Sequence, residues 1–189
     1  MRKTICAALA LCLLACSKGE LPRGPGEGDI QAHREQVPLR DDEFDLSVKQ
    51  FVEVFNAAAK SCQQPYRIAE AELRRGALHD YFEQSFSGDV SMRANVSKDS
   101  GRISSITVLA SGRKHTANRD TLLAIAEILV LATEPDMPLK KARAMIDDML
   151  NESLSTPEVD RLPQRYFEHA RYVLRNDNDG DYWWVVSPN

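Results

Sequence analysis

The sequence predicts an α+β fold, in which an antiparallel sheet of about five to six strands packs against about three helices. Two observations carry this prediction. Apolar residues recur at helical intervals in three segments, whereas apolar and polar residues alternate, as in strands, in several others. The predicted order is one helix, four strands, two helices and two strands. Because elements of each kind are grouped along the chain, an antiparallel sheet is favoured over the parallel sheet of an α/β protein.

The residues that precede this domain have the layout of an export signal. Arg2 and Lys3 form a basic start, and an apolar run follows from Ile5 to Ala15. This run is shorter than the roughly 20 apolar residues that cross a bilayer. We therefore expect export of the chain rather than a membrane span.

The segment Leu13-Leu14-Ala15-Cys16 resembles the lipobox of bacterial lipoproteins. The resemblance implies that residues 1–15 are a signal peptide and that Cys16 is acylated on its sulfur and on its new amino group. Several acyl chains attach a protein stably to a membrane, whereas a single chain does so only marginally. Ser17 and Lys18 stand where an Asp favours inner-membrane retention in this family, which implies the outer membrane, facing the periplasm. The alternative is a secreted protein, cut after Ala15, with an unmodified Cys16.

Residues 16–43 are expected to be the lipidated cysteine and a flexible tether, because they are rich in glycine, proline and charge. As a flexible coil, such a tether reaches roughly 30 Å from its anchor. Residues 44–189 are then expected to form one globular domain, since their length suits a single hydrophobic core.

The charge of the chain argues against nucleic acid as a partner. The formal charge is −4, and loss of the signal peptide removes Arg2 and Lys3 but no acid, which makes it −6. A nucleic-acid-binding domain is expected to carry a basic surface. An acidic, exported domain is therefore expected to contact a membrane through its acyl chains and, in addition, a protein partner.

The helices are predicted from apolar periodicity. The first begins after Ser47, a good N-cap, carries Val48, Phe51 and Phe55 on one face, and ends before Pro65. The second, within 120–133, is apolar around most of its circumference and should lie deep in the domain. After the break at 134–138, a third helix shows one apolar face over 139–150.

The strands are predicted from alternation and turn residues. Tyr66–Leu73 and Leu78–Phe86 are expected as the first two strands, and 90–97 and 105–110 as a hairpin around Lys98-Asp99-Ser100-Gly101. After a loop bracketed by Pro157 and Pro163, Tyr166–Leu174 and Tyr182–Val186 are expected as a second hairpin.

The turn of the second hairpin, 176–181, carries alternate acids that resemble a calcium loop at first sight. Counted from Asp177, however, the sixth and twelfth positions are Tyr182 and Pro188, where an EF-hand loop needs Gly and Glu. A hairpin turn explains the same residues, because Asp and Gly tolerate a positive φ. We therefore expect no metal here.

The aromatic cluster Tyr182-Trp183-Trp184 follows this turn. In a strand, Trp183 must face away from Tyr182 and Trp184. Either one face of the sheet is buried and the other exposes its aromatic side chain to solvent, or helices cover both faces and all three rings lie in the core. The sequence leaves both arrangements open. If Trp183 is exposed, it is a candidate for partner binding, since Trp is enriched at interaction hot spots.

We expect no cofactor and no catalytic activity, because the chain carries no phosphate loop, zinc motif, dinucleotide fingerprint or Gly-x-Ser-x-Gly elbow. His79-Asp80 and Glu168-His169 are neighbours in strand-like segments, so their side chains point apart and form no dyad. Cys6 and Cys12 are expected to leave with the signal peptide, so Cys62 is the cysteine that remains once Cys16 is lipidated. It is either a small core residue or a reactive thiol.

In layout, the chain resembles immunity lipoproteins, which neutralise toxins delivered by antibacterial secretion systems: a signal, a lipobox, a short tether and one small acidic α+β domain. The resemblance implies a non-enzymatic domain that binds another protein. A toxin is one of the partners that it implies. Trp183 and the acidic turn around Asp179 and Asp181 are its expected partner-binding residues. Two alternatives are an accessory lipoprotein of an envelope or secretion complex, and a cell-wall hydrolase that uses dispersed acids such as Glu83 and Asp89.

Overall fold

Six antiparallel strands form one sheet, and three helices pack on it. This computed structural model describes residues 40–111, 116–155, 162–177 and 180–189. The helices and strands, numbered in chain order, are α1 Val48–Ser61, β1 Asp80–Ser85, β2 Val90–Val96, β3 Ile103–Ala110, α2 Thr116–Thr133, α3 Leu139–Ser155, β4 Gln164–Tyr166, β5 Ala170–Asn176 and β6 Tyr182–Pro188. The predicted α+β fold is thereby confirmed.

The sheet has the order β1-β2-β3-β6-β5-β4. The last strand, β6, pairs with β3 on one side and with β5 on the other. It therefore joins two sets of neighbouring strands, β1-β2-β3 and β4-β5, into one sheet. This topology places Trp183 and Trp184 in the middle of the sheet rather than at its edge.

Helix α1 begins at the N-cap that the sequence predicts. The Ser47 side chain accepts a hydrogen bond from the Gln50 backbone N–H, and the Gln50 side chain accepts one from the Ser47 backbone N–H at 2.9 Å. This capping box satisfies N–H groups that have no partner within the helix. Phe51 and Phe55 are fully buried, so the predicted apolar face is the one that packs on the core.

Helix α2 is the central helix of the layer, as its apolar circumference predicts. It contacts both other helices and also β2, β3 and β6. Six of its residues have no exposed surface, namely Leu122, Ile125, Ala126, Ile128, Leu129 and Val130. Among the described residues, no helix combines the length and apolarity needed to cross a bilayer.

The hairpin of β2 and β3 also agrees with the sequence. Its turn is closed by hydrogen bonds from Ser97 N–H to the Arg102 carbonyl, at 2.8 Å, and from Gly101 N–H to the Ser97 carbonyl, at 2.9 Å. Gly101 has a φ of 75°, a left-handed conformation that glycine adopts without steric cost. The hairpin therefore depends on the glycine that predicted it.

The prediction of a strand over Tyr66–Leu73 is wrong. Ile68 is buried there, but its backbone N–H and carbonyl are both bonded to the Asn56 side-chain amide on α1, each at 2.9 Å. A side chain thus replaces a neighbouring strand as the hydrogen-bond partner. The segment meets β1 only at an isolated bridge between Arg74 and Tyr81.

The prediction of one strand over Tyr166–Leu174 is wrong as well, because the chain turns back after Tyr166 and forms β4 and β5. The buried Glu134, just after α2, explains the turn. Its Oε1 accepts hydrogen bonds from the backbone N–H groups of His169 and Ala170, each at 2.9 Å. A distant carboxylate therefore holds the turn, which local alternation could not reveal.

Candidate functional site

One face of the sheet lies under the helices, and the other is not buried by any described residue. Along each long strand, every second side chain is buried against the helices, while the side chains between them are exposed or half-buried. We call the second set the open face. Its members include Tyr81, Glu83, Arg93, Thr107, Leu109, Arg171, Val173, Arg175, Trp183 and Val185.

The centre of the open face is apolar. Trp183 of β6 lies opposite Leu109 of β3, and the next residue on this face, Val185, lies opposite Val173 of β5. Trp183 is 36% exposed, whereas Trp184, on the helix side, is fully buried. The structure thus places one tryptophan inside the core and the other on a face that the described residues leave exposed.

Arginines surround this apolar centre. The Arg175 guanidinium lies 5.9 Å from the centre of the Trp183 ring, and the Arg93 guanidinium lies 3.8 Å from that of Tyr81. Such cation–π contacts hold a flexible side chain against a rigid ring. Arg171 is four residues from Arg175 along β5, an even spacing, and therefore projects from the same face.

One carboxylate, Glu83, lies among the charged strand residues of the open face. It is bonded to Arg74, at 3.3 Å, and lies 3.8 Å from Arg93. Arg74 is the bridge partner of Tyr81 and so adds a fourth arginine to this side of the sheet. Among the described residues, the strands of the open face and the adjoining Arg74 carry four arginines and one glutamate, so this part of the face is basic although the whole chain has a formal charge of −4.

Of the three residues predicted to bind a partner, the structure describes two, Trp183 and Asp181. Trp183 lies on the open face, among arginines rather than acids. Asp181 lies in the turn before β6, where its backbone N–H donates to Asp177 Oδ1 at 2.9 Å. Asp179 lies outside the described residues, as does Cys16.

No protein-family model, no curated protein and no solved structure matches this chain. The function must therefore be argued from the surfaces and cavities of the structure itself.

The acids suggested for a hydrolase are placed in different settings. Glu83, on β1, lies between Arg74 and Arg93. Asp89 lies in the turn between β1 and β2, where its carboxylate accepts a hydrogen bond from Asn118 at 3.3 Å. Within the described ranges, no group of three or more His, Cys, Asp or Glu residues is arranged to hold a metal ion.

Sequence reasoning missed the arginines of the open face. Arg171 and Arg175 alternate with buried residues of β5, and Arg93 does so in β2, so the alternation itself was a usable signal. What the alternation could not show is that β2 and β5 lie on opposite sides of β6. Only this strand order surrounds Trp183 with positive charge.

Cys62, at the end of α1, is a buried residue beside an ion pair. Arg143 of α3 binds both carboxylate oxygens of Glu127 on α2, at 2.8 and 3.1 Å. Burial, and then the neighbouring Glu127 carboxylate, raise the pKa of the Cys62 thiol to about 11. Both effects disfavour the thiolate, which is the reactive form of cysteine.

We therefore expect Cys62 to resist alkylation in the folded protein. Relative to a thiol with the ordinary pKa of 9.0, a pKa of about 11 lowers the thiolate fraction at pH 8 about 100-fold. The measurement is the rate of iodoacetamide labelling of the mature chain carrying Cys16→Ser, with the same chain in urea as the control. A folded-state rate within tenfold of the denatured rate would contradict the prediction.

Proposed function

We propose that this chain is a non-enzymatic, lipid-anchored domain of the cell envelope that binds an acidic surface of a partner protein through its open face. The observation that carries the proposal is the uncovered sheet face, which combines an exposed tryptophan with an excess of arginines. Trp, Tyr and Arg are the residues most enriched at the energetic centres of protein interfaces.

The arrangement of the open face supports a protein partner. Its centre, Leu109, Trp183, Val173 and Val185, is apolar, and its charged residues lie around that centre. An apolar centre within a polar rim is the usual anatomy of a protein interface. Binding there would remove the indole ring of Trp183 from water without removing the charged groups at the rim completely.

The charge of the open face supports the choice of an acidic partner surface. Opposite charges speed the encounter of two proteins, and like charges disfavour wrong partners. The turn that carries Asp177 and Asp181 lies at one end of β5 and β6, whereas the arginines lie along the strands. We therefore assign the main contact to the arginines and Trp183.

The anchor and the tether support the place of action. The lipobox at Cys16 and the tether after it resemble the layout of immunity lipoproteins, in which the domain stands off the membrane and meets its target in the periplasm. Within this proposal, the partner is a toxin of an antibacterial secretion system. The product of a neighbouring gene is the first candidate to test.

A photo-cross-linking experiment in the native host tests the proposal. A photoreactive amino acid replaces Leu109, at the centre of the open face, or Lys140, an exposed residue of α3. We expect one predominant protein adduct from position 109 and none from position 140. Equal adducts from both positions, or no adduct from position 109, would contradict the proposal.

Substitutions then measure the contribution of the open face to binding of the cross-linked protein. We expect Trp183→Ala to weaken binding about 30-fold, as a hot-spot residue worth about 2 kcal/mol does. The double variant Arg93→Glu with Arg175→Glu should weaken it further and lower the association rate most at low salt. Lys140→Glu, on the helix side, is the control and should leave the affinity unchanged within about twofold.

A further inference from the structure

A recess outside the open face is lined by both acidic and apolar side chains. Its volume is about 450 Å³. Five parts of the fold line it, namely the segment Arg40–Leu46, Val54 of α1, the end of α2, the turn between β4 and β5, and the end of β6. A cavity of this size, with apolar walls and a few polar groups, is typical of small-ligand sites.

The walls of this recess are held in place by hydrogen bonds. Phe44 N–H donates to the Ile103 carbonyl at 2.8 Å, and Ile103 N–H donates to the Leu46 carbonyl at 2.9 Å, which fixes the N-terminal segment to β3. On the other side, Glu134 fixes the turn at His169. The recess is therefore formed by the fold itself and needs little ordering when it binds a ligand.

Glu43, which lines the recess, is a buried carboxylate that lacks a partner for one oxygen. The residue is only 5% exposed, and its Oε2 accepts no hydrogen bond from any described residue. A buried polar atom without a partner costs about 1–3 kcal/mol, and more if the group is charged. Such an atom calls for a donor that the described chain does not supply.

The charges around Glu43 define that donor. Asp41 and Glu168 are exposed lining residues. The Arg40 guanidinium lies 3.2 Å from Asp42 and 3.5 Å from Asp99, so its charge is balanced by these two acids. The recess is left with an excess of negative charge, which favours a cationic group.

We propose that this recess binds an alkylammonium or alkylguanidinium group, with its N–H donors at Glu43 and its alkyl stem against the apolar wall. The wall includes Phe44, Leu46, Val54 and Ala132. A stem of several methylene groups matches these side chains, because Lys and Arg side chains bury their stems in the same way. The ligand is a free diamine or the side chain of a lysine or arginine on another protein.

The test is an NMR titration of the full mature chain, with Cys16→Ser so that it stays unacylated. The probes are cadaverine, N-acetyl-lysine methylamide and N-acetyl-arginine methylamide. N-acetyl-norleucine methylamide, which has the stem without the charge, is the control. We expect saturable shifts at millimolar concentrations, centred on the amides of Glu43, Phe44 and His169, with the three cations only. Tighter binding of cadaverine would identify a free amine, and tighter binding of an amino-acid amide would identify a protein side chain.

A matched pair of variants shows whether Glu43 is responsible. Glu43→Gln keeps the shape but removes the charge and is expected to weaken cation binding at least about tenfold. Glu72→Gln, on an exposed residue outside the recess, should have no effect. If Glu43→Gln fails to give a folded spectrum, Asp41→Asn with Glu168→Gln replaces it and should weaken binding about threefold.

Three results would overturn the inference: no saturable binding of any cation, equal shifts with the norleucine compound, or full affinity in the Glu43→Gln variant. The inference is independent of the protein-binding role of the open face. Arg93→Glu with Arg175→Glu is expected to weaken binding of the protein partner more than about 30-fold while leaving cation binding within about twofold. Failure of one proposal is thus distinguishable from failure of the other.

Discussion

Replacing Cys16 by alanine is expected to abolish acylation of the chain. The sulfur and the new amino group of Cys16 are the proposed sites of all acyl chains, so no labelled palmitate should be incorporated in the variant. Each methylene group buried in lipid contributes about 0.8 kcal/mol to membrane affinity, so loss of several chains removes most of the binding energy. The measurement is incorporation of labelled palmitate in the native host, together with the mass of the N-terminal peptide.

The control for this change is Cys12→Ala. Cys12 lies within the predicted signal peptide, so the variant should be acylated at the same level as the natural chain. Acyl label is the decisive measurement, because an uncut signal peptide would itself hold the Cys16→Ala chain at a membrane. Label in the Cys16→Ala variant, or an unmodified N-terminus in the natural chain, would contradict the lipid anchor.

Replacing Phe51 by alanine is expected to lower the free energy of unfolding by about 3–5 kcal/mol. Phe51 has no exposed surface, and its ring centre lies 6.0 Å from those of Phe55 and Phe82. Because Phe82 is on β1, its contact with Phe51 joins α1 to β1. Removal of the ring loses its burial and leaves a cavity that the rigid elements around it cannot fill. Since domains are stable by only about 5–15 kcal/mol, this is a large part of the total.

Urea unfolding, followed by the combined fluorescence of Trp183 and Trp184, measures this change. Glu53→Ala, on the exposed side of the same helix, is the control and should alter the free energy of unfolding by less than about 0.5 kcal/mol. Phe51→Leu should be less harmful than Phe51→Ala because it leaves a smaller cavity. A loss below about 1 kcal/mol for Phe51→Ala would mean that α1 is not part of the cooperative core.

The helices could be predicted from the sequence because each depends on a local pattern. Ser47 and Gln50 mark the start of α1, and the spacing of Phe51 and Phe55 marks its buried face. The same holds for the hairpin of β2 and β3, where alternation and Gly101 act over neighbouring residues. Elements of this kind need no information about distant parts of the chain.

The two wrong strand predictions have a common cause. At Ile68, the backbone is satisfied by the side chain of Asn56, and at His169 it is satisfied by the side chain of Glu134. In both places a polar side chain, from α1 or from the residue just after α2, supplies the hydrogen bond that a neighbouring strand would otherwise supply. Periodicity reports which face of a segment is apolar, and it does not report which group bonds its backbone.

The candidate sites divide in the same way. Alternation placed Trp183 and Trp184 on opposite faces of the sheet. Only the structure shows that the described residues leave the Trp183 face exposed and that arginines from β2 and β5 flank Trp183. The recess at Glu43 has no counterpart in the sequence pattern. Its lining comes from five separated parts of the chain, and only when these are in place does Glu43 Oε2 lie buried without a hydrogen bond from the described residues.

The sequence by itself determined the three helices, the hairpin of β2 and β3, the α+β class and the lipobox pattern at Cys16, because each is encoded in residues close together in the chain. The tertiary structure alone decided that β6 inserts between β3 and β5 and that the described helices cover one sheet face and leave the other exposed. The physical reason is that strand order depends on which apolar faces bury one another after long loops close. The free energy gained by this burial is a property of the assembled core and cannot be assigned to a single segment.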